Sequence, residues 1–398
     1  MKKNTAFIAA CLDQLAVEIG ERPVGGLNNQ RAEKFISETF RTSGLDVFHQ
    51  EFQCMDWEPG RVSLVLNGRS VPASHSPYTR PASVKAPFQL LETVEQLRAA
   101  ELSGQIAVLG GELTREPLMP KNFCFWNPER HQEIVRLLEA KAPVAILTVS
   151  FSEERPVPII EDGDFDIPSV VVAGKYLREF SASKGTVLTL RMEAERKPSR
   201  GANVIARQPG QGSRKAIVMA HFDTKPGTPG ALDNAAGVTG LLLLSRLLQE
   251  NPVPGGVELI AVNGEDYYSN PGQVAYLDTY QHTFDQLKLV INCDGPGYRV
   301  GKTGVSPMNC EKAFTKRIEK KLYAFPALKL SDPWYQGDHM IFAPYEVPTL
   351  AITSDEIFPI IDTVIHTEHD RMELVEAAYL EQVGRFIYEV LSEVQPCG

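Results

Sequence analysis

The first 57 residues alternate apolar and polar positions in a pattern that predicts two helices and a strand. The apolar run after Lys3 is interrupted by Asp13 and then continues amphipathically, which favours an amphipathic helix over the uninterrupted core of a signal peptide. A second helix is predicted over about 29–43, where apolar residues recur at helical spacing. Gly44 ends this helix, and 45–54 is predicted to be a strand.

Residues 60–195 differ in character, because short runs of β-type residues are separated by prolines and glycines. This composition is typical of a compact β-rich module with long loops, and it contains one predicted helix, over 130–140. We therefore predict a main domain formed by 1–57 and 200–398, with a β-rich domain inserted at 60–195. The strands predicted within the insertion are 62–66, 106–109, 144–149, 169–172 and 187–190.

From residue 202 onward, apolar runs of strand length alternate with runs of helical period. Nearly continuous apolar strands between helices predict an α/β sheet that is covered on both faces. The first two strands are predicted to pair with each other. The predicted strands are 203–207, 215–220, 257–263, 287–293 and 349–353, and the predicted helices are 234–249, 271–280 and 374–394.

Composition and charge narrow the classes of partner. The chain has 398 residues, 43% hydrophobic and 23% charged, which is ordinary for a globular protein and long enough for two domains. Its formal net charge of -10 argues against nucleic acid, since phosphate binding requires a basic face. No segment approaches the ~20 consecutive apolar residues of a membrane span, so a membrane is not an expected partner.

The six cysteines are scattered, and none forms a C-x-x-C pair. This excludes a thiolate zinc knuckle or a C-x-x-C redox motif. Scattered cysteines in a chain without an export signal are most often free thiols in a reducing compartment. A cytoplasmic location is therefore expected, with secretion left open.

Polar side chains follow the ends of the predicted strands, where α/β sheets place their ligands. His221 and Asp223 end one strand, and this spacing suits a metal ligand whose second ring nitrogen is held by the carboxylate. Alone, the pair is equally typical of an ordinary loop histidine. Asp233 lies at the start of a predicted helix, where N-capping would explain it. N-capping does not explain the small residues around Asp233, which would let the backbone approach another group closely.

Further acidic residues lie at the ends of two more strands. Glu265 and Asp266 follow one, Asp294 follows the next, and His366 precedes the last helix. If these carboxylates and Asp233 converge, each pair at ~4 Å repels by about 4 kcal/mol at an effective dielectric near 20. Two divalent cations would offset four negative charges. Carboxylate oxygen and imidazole nitrogen suit zinc, and cobalt or manganese could substitute.

Six short motifs occur in a fixed order and carry a family resemblance. They are H-x-D, D-N-A-A-G, G-E-D, C-D, G-D-H and H-T-x-x-D, which begin at His221, Asp233, Gly264, Cys293, Gly337 and His366. The chain thereby resembles the M28 metallopeptidases, which include bacterial leucyl aminopeptidases and the glutamate carboxypeptidase group. The resemblance covers about 1–57 and 200–396 and implies a mixed twisted sheet between helices. Residues 60–195 resemble, by pattern more than by signature residues, a protease-associated domain that would cover the cleft or restrict substrate size.

The resemblance also implies two divalent metal ions, most simply zinc, and a role for each site residue. One ion would be bound by His221 and Asp266, and the other by Asp294 and His366. Asp233 would bridge both ions. Glu265 would be the general base, Asp223 and Asp370 would support the ligands, and the peptide bond Asp233-Asn234 would be cis.

Two positions depart from the family pattern. Ile365 stands where several relatives have a tyrosine that polarises the scissile carbonyl, so Tyr345 or His339 could supply that contact, and the sequence does not decide between them. Asp266 stands where many relatives have Glu, and the shorter side chain would hold its metal less symmetrically.

The function implied is removal of N-terminal residues from peptides, by a water between the two metals. A carboxypeptidase of the glutamate carboxypeptidase type is the first alternative, but it would need an arginine cluster, and Arg299 is a single candidate. A non-catalytic scaffold like the transferrin receptors should have lost ligands, and a glutaminyl cyclase uses one metal. The sequence leaves open the preferred side chain, the native metal and a homo-oligomeric state.

Overall fold

The computed structural model describes residues 2–210, 215–361 and 363–393. The chain divides into two compact units, which we call the main unit (Met1–Cys54 and Ser199–Gly398) and the inserted unit (Met55–Pro198). The predicted end of the last helix at Val394, and Cys397, lie outside the described residues.

Helices and strands alternate along most of the chain. The α-helices of the described residues are α1 (Lys2–Asp13), α2 (Leu27–Thr42), α3 (Val94–Ala99), α4 (Glu129–Lys141), α5 (Leu177–Ala182), α6 (Ala236–Glu250), α7 (Pro271–Tyr280), α8 (Lys312–Leu322) and α9 (Ala377–Glu393). Their strands are β1 (Asp46–Leu66), β2 (Arg69–Val71), β3 (Ser74–His75), β4 (Ala82–Leu91), β5 (Ile106–Leu109), β6 (Ala145–Val149), β7 (Ser169–Val172), β8 (Val187–Gln208), β9 (Lys215–His221), β10 (Gly256–Val262), β11 (Leu287–Cys293), β12 (Thr303–Met308), β13 (Leu328–Leu330) and β14 (Thr349–Ser354).

The main unit is built on a mixed sheet with the strand order β13-β12-β14-β11-β9-β10-β8. The central strands β14, β11, β9 and β10 are parallel to their neighbours within this group. Strands β8 and β12 run antiparallel to β10 and β14, respectively. The predicted mixed α/β sheet is confirmed.

Alternate residues of the central strands pack on opposite faces of this sheet. In β9, Val218 and Ala220 join a core that includes residues of α1, α2, α6 and α9. Ile217 and Met219 join a second core, to which α7 contributes Tyr276. Both faces are therefore covered by apolar side chains, which explains why the central strands are apolar almost throughout.

One predicted strand pairing is wrong. The predicted strands 203–207 and 215–220 both form, but β10 lies between them, antiparallel to β8 and parallel to β9. The six residues 257–262 of β10 are all buried, which suits a position inside the sheet rather than at its edge. Strands β12 and β13 and helix α8 are not predicted. For β12 the reason is that Gly304 and Pro307 weaken the pattern typical of a strand.

The stretch Ala231–Glu250 is long and apolar enough to cross a membrane by composition alone, and 89% of its most apolar window is buried inside the protein. It includes α6, which belongs to the main core. Core helices of globular proteins commonly have this composition, so the stretch is explained by its packing.

Three adjacent parallel strands end together at one edge of the main sheet, which we call the carboxyl edge. Val262 of β10 is level with His221 of β9, and Asn292 of β11 is level with Met219. The residues that follow β10 and β11 are Glu265, Asp266 and Asp294. The order of strands thus brings the predicted site residues to the same edge.

The inserted unit has its own apolar core, and its strands include β3 to β7 and the first part of β8. Strands β4, β5, β6 and β7 are parallel in sequence order, while β3 and β8 run antiparallel at either end. Two apolar clusters pack within the unit, the second including residues of α3 and α4. The predicted strands are present, but α3 and α5 are too short to show a periodic sequence signal. The resemblance to a protease-associated domain stays a prediction.

Candidate metal centre

His221, Asp233 and Asp294 form the first of two ligand groups at the carboxyl edge. One candidate ligand atom from each lies within 4.8 Å of the other two. His221 Nε2 is 3.1 Å from Asp233 Oδ1 and 3.4 Å from Asp294 Oδ1. His221 and Asp233 are buried, and Asp294 is half-buried. The group presents one imidazole and two carboxylates to a common position.

Asp233, Asp266 and His366 form the second group, with the same 4.8 Å limit on the distances between their ligand atoms. His366 Nε2 is 3.0 Å from Asp233 Oδ2 and 3.1 Å from Asp266 Oδ1. The two carboxylate oxygens of Asp233 therefore face different groups. This is the position that a bridging ligand occupies.

The predicted division of the ligands is wrong, although the five residues do come together. The resemblance paired His221 with Asp266, and Asp294 with His366. In the structure His221 lies with Asp294, and Asp266 lies with His366. The reason is strand order: β9 lies between β10 and β11, so Asp266 and Asp294 approach Asp233 from opposite sides.

Each of the two groups contains a buried polar atom that makes no hydrogen bond, which indicates that the group can hold a metal ion. Among the described residues, His221 Nε2 and Asp266 Oδ2 are buried and make no hydrogen bond. His221 Nε2 lies close to Asp233 Oδ1 without being aligned as donor and acceptor. Buried polar atoms normally find hydrogen-bond partners, so this geometry suits ligands that point at one ion. Three protein ligands of nitrogen and oxygen match catalytic zinc sites.

Electrostatics among these residues favour added positive charge. Burial raises the pKa of Asp294, contact with His221 opposes this effect, and the negative charges of Asp233 and Asp266 add to it. Burial also raises the pKa of Glu265 well above its usual value; His221 opposes that effect, and Asp294 and Asp266 add to it. Three carboxylates and two imidazoles surround Glu265. Two divalent cations held by these five side chains would offset the negative charges and gain Coulomb energy.

The segment that carries Asp233 is fixed by backbone contacts. The peptide bond Asp233-Asn234 is cis, as the resemblance predicts. Asp370 accepts hydrogen bonds from the backbone N–H groups of Leu232, at 2.7 Å, and of Asp233, at 3.0 Å. The predicted supporting residue Asp370 therefore lies where it positions the backbone of the shared ligand.

Asn234 connects this segment to the strand that delivers Asp294. Its Nδ2 donates to Cys293 O at 2.8 Å, and its Oδ1 accepts from the backbone N–H of Gly237 and of Gly295. A Cβ at Gly237 would lie 2.3 Å from Asn234 Oδ1 and from Cys293 O, so only glycine fits there. The small residues of D-N-A-A-G are thereby explained by close backbone approach.

Asp223 lies beside His221, but its carboxylate does a different task from the one predicted. His221 Nδ1 contacts the backbone oxygen of Asp223 at 3.3 Å, and the carboxylate oxygen Oδ1 is 3.7 Å away. The Asp223 carboxylate instead accepts three backbone N–H groups, from Gly264, Glu265 and Asp266. Because these bonds use its oxygens, Asp223 mainly fixes the loop that carries the base and one ligand.

Arg22 is a site residue that the sequence analysis missed. It is fully buried, and its guanidinium donates to backbone carbonyls within the ligand segment 221–233 and to carbonyls of the N-terminal segment 15–20. Burial lowers the pKa of Arg22 to about 10, against the effect of nearby Asp370, Asp223 and Asp233, so it stays charged at neutral pH. The acceptors are Phe222 O, Leu15 O, Gly20 O, Pro229 O and Gly230 O.

Asp338 is a second missed residue. It is buried next to the first ligand group, and Gln273 Nε2 donates to its Oδ1 at 2.7 Å. Burial raises the pKa of Asp338 to about 8; His221 opposes this, and Asp294 and Asp223 add to it. Burial therefore favours the protonated form of Asp338. Asp338 belongs to the G-D-H motif. The motif does not reveal that Asp338 is buried, because residues distant in the sequence bury it.

Tyr345, His339 and Arg299, the predicted contacts for the substrate carbonyl or carboxylate, each contact other protein groups. Tyr345 is 44% exposed, and its hydroxyl donates to Gln281. His339 is buried, with Nε2 on Trp334 O and Nδ1 beside Asn292, and burial lowers its pKa to about 4. Arg299 is exposed and donates to Glu373 O. A contact of any of these three side chains with the substrate stays a prediction.

Comparison with known sequences gives a family match over most of the main unit. Residues 203–391 match the model of peptidase family M28. The chain is 24% identical over 294 residues to a probable lipoprotein aminopeptidase, LpqL, of Mycobacterium tuberculosis, covering 70% of this chain and 56% of the relative. It is 22% identical over 402 residues to the aminopeptidase YwaD of Bacillus subtilis, covering 96% of this chain and 83% of the relative. The match thus spans little more than half of the first relative.

Comparison with solved structures shows the same fold. BSAP, a zinc aminopeptidase from Bacillus subtilis, superimposes with a TM-score of 0.76 at 20% sequence identity, over 98% of this chain and 95% of that chain. At this level of identity the likeness establishes the architecture: a mixed α/β fold with a large mixed sheet flanked by helices.

Proposed function

We propose that this chain, whose residues 203–391 match the model of peptidase family M28, is a di-zinc aminopeptidase that removes N-terminal residues from peptides. The observation that carries the proposal is the position of Asp233, whose two carboxylate oxygens face His221 and His366 in separate groups. One carboxylate shared by two three-ligand groups suits a pair of metal ions. The aminopeptidase relatives, and BSAP as a zinc aminopeptidase, support the same activity and metal.

The residues of the chain divide into those that hold the ions and those that handle the proton. When bound, a zinc pair supplies Lewis-acid chemistry: it polarises the peptide carbonyl and lowers the pKa of water. The holding residues would be His221, Asp233 and Asp294 for one ion, and Asp233, Asp266 and His366 for the other.

Glu265 is the proton carrier of this mechanism. It accepts a proton from the attacking water and passes it to the amine that leaves. Asp223 holds the backbone N–H of Glu265 at 3.2 Å and that of Asp266 at 3.0 Å, so one carboxylate sets the positions of both residues. Glu265 and Asp266 can therefore act at the same site, one as the general base and the other as a metal ligand.

The alternatives are less well supported by the described residues. A carboxypeptidase needs a cationic clamp for the free carboxylate of its substrate, and Arg299 is instead exposed and bonded to Glu373 O. A non-catalytic scaffold has no need of five converging ligands with a base beside them. The peptide substrate and a cytoplasmic location remain parts of the proposal.

A substrate panel tests the proposed function. We expect the zinc-loaded protein to release p-nitroaniline from aminoacyl p-nitroanilides with a free α-amine, and to leave the matched N-acetylated compounds intact. The chromogenic assay measures both directly, with peptides of blocked N-terminus and free C-terminus in parallel. Cleavage of the last residue from those peptides would indicate a carboxypeptidase. No turnover of any substrate with both ions bound would indicate a scaffold.

A further inference from the structure

A second cluster of charged residues lies at the other end of the central strands. Lys215 begins β9, and Arg207 of β8 is directly opposite Glu258 of β10 in the antiparallel pair. On the other side of β10, Glu258 is level with Ile217 of β9. Lys215 lies two residues before Ile217 and is therefore the diagonal neighbour of Glu258. Residues opposite or diagonal across strands share a face of the sheet, which places these three charges together.

The single carboxylate of this cluster is saturated by its neighbours. Glu258 is fully buried; its Oε2 accepts from Arg207 Nε at 2.7 Å and from Lys215 Nζ at 2.8 Å. Its Oε1 accepts from Tyr276 OH at 2.8 Å. In the described ion pairs Glu258 is the carboxylate that both cations contact. Two positive charges are therefore balanced by one negative charge.

The two cations face a cavity of about 360 Å³, lined by Arg207, Lys215, Tyr280, Thr283 and Gln286. We call it the basic pocket. The side chains of Arg207 and Lys215 are 37% and 29% exposed. The contacts described for Arg207 are Nε to Glu258 and Nη2 to Tyr280 OH, at 3.3 Å. A guanidinium has five N–H donors and an ammonium has three, so donors remain for a ligand in the cavity.

Surrounding rings hold the cations in place. The Arg207 guanidinium lies 4.8 Å from the centre of the Phe48 ring and 5.8 Å from that of Tyr280. Lys215 Nζ lies 5.7 Å from the centre of the Tyr280 ring. Cations that are fixed by a buried carboxylate and by aromatic faces lose little entropy when an anion binds.

We infer that the basic pocket binds a phosphate group, either as inorganic phosphate or as part of a small phosphorylated molecule. The excess positive charge calls for an anion. Donors from the Arg207 guanidinium, the Lys215 ammonium and the Gln286 amide exceed what the two oxygens of a carboxylate can use, whereas a phosphate offers three or four oxygens. Tyr280 forms a wall against which an organic substituent can pack.

This pocket is separate from the metal centre. Lys215 and His221 stand at opposite ends of β9, and six steps of ~3.3 Å along a strand give about 20 Å between them. A ligand in the basic pocket therefore touches none of the proposed metal ligands. Phosphate binding and peptide hydrolysis can be measured independently.

Isothermal titration of the zinc-loaded full chain tests the inference, with inorganic phosphate and phenyl phosphate in separate arms at constant ionic strength. We expect saturable binding, and a loss of about tenfold or more for Lys215→Met, because a hydrogen bond to a charged group is removed. Tighter binding of phenyl phosphate would assign the site to a phosphorylated organic molecule, and equal or weaker binding would assign it to the free ion. The matched control Lys34→Met removes the same charge from an exposed side chain and should bind as the wild type does.

A second variant guards against a folding defect from the altered ion pair. Gln286→Leu removes an amide donor from the pocket lining without touching the contacts of Glu258, and it should also weaken phosphate binding. Absence of saturable heat with the wild type would overturn the inference. Binding that is unchanged in both the Lys215→Met and the Gln286→Leu variants would also overturn it, since the anion would then be bound elsewhere, such as at the metals.

Discussion

Replacing Glu265 with glutamine should lower kcat by about 10²–10⁴-fold, the typical cost of removing a general base. Glutamine is nearly isosteric and leaves the five metal-binding residues in place, but it cannot accept a proton. The backbone N–H of residue 265 would still be held by Asp223. Steady-state kinetics on a free-amine substrate, with metal analysis and circular dichroism of the same sample, measures the effect.

The neighbouring substitution is the control. Asp266→Asn should weaken one metal site, because Asp266 Oδ1 lies 3.1 Å from His366 Nε2 in the second group. Added zinc should then restore part of the activity, whereas it should not help Glu265→Gln. If Glu265→Gln loses metal while Asp266→Asn keeps both ions and loses only turnover, the two roles are exchanged.

Substituting His366 with alanine should remove one of the two metal ions and most of the activity. His366 Nε2 lies 3.0 Å from Asp233 Oδ2, and it is the imidazole of the second ligand group. Loss of one of three protein ligands leaves two carboxylates to hold the ion. Metal content after gel filtration, by plasma mass spectrometry, measures the loss.

His369 provides a matched comparison, since it is three residues away and also an imidazole. It is 58% exposed, and its Nε2 lies 3.6 Å from Glu368 Oε1 rather than within a ligand group. His369→Ala should therefore keep both ions and near-normal kcat. Two ions in His366→Ala, together with a lost ion in His369→Ala, would overturn the assignment of the ligand.

The fold of the main unit was largely predictable because its central strands are apolar and its helices are periodic. Helix 271–280 and strand 287–293 have the predicted limits. The position of β10 between β8 and β9 was not predictable from these patterns, since apolar runs report burial but not which strands are neighbours. Helix α8 was missed although its apolar residues recur at helical spacing.

The site was predictable as a set of residues but not as an arrangement. Motifs at strand ends identified the five residues that converge, because parallel strands end at one edge. Their division into two groups depends on the order of β10, β9 and β11, which the motifs do not contain. Arg22 and Asp338 were missed for a related reason: Arg22 binds carbonyls about 200 positions away, and the burial that raises the pKa of Asp338 is produced by the folded chain.

Titration of the metal-depleted protein with zinc tests the central claim most directly. Activity on a free-amine substrate and bound zinc, measured on the same samples, should both be lost on chelation. Readdition should restore activity as zinc fills two sites per chain, in keeping with two ligand groups that share Asp233. Saturation at one tightly bound ion, with no second site under excess zinc, would contradict the two-metal account and would point to the one-metal chemistry of a cyclase.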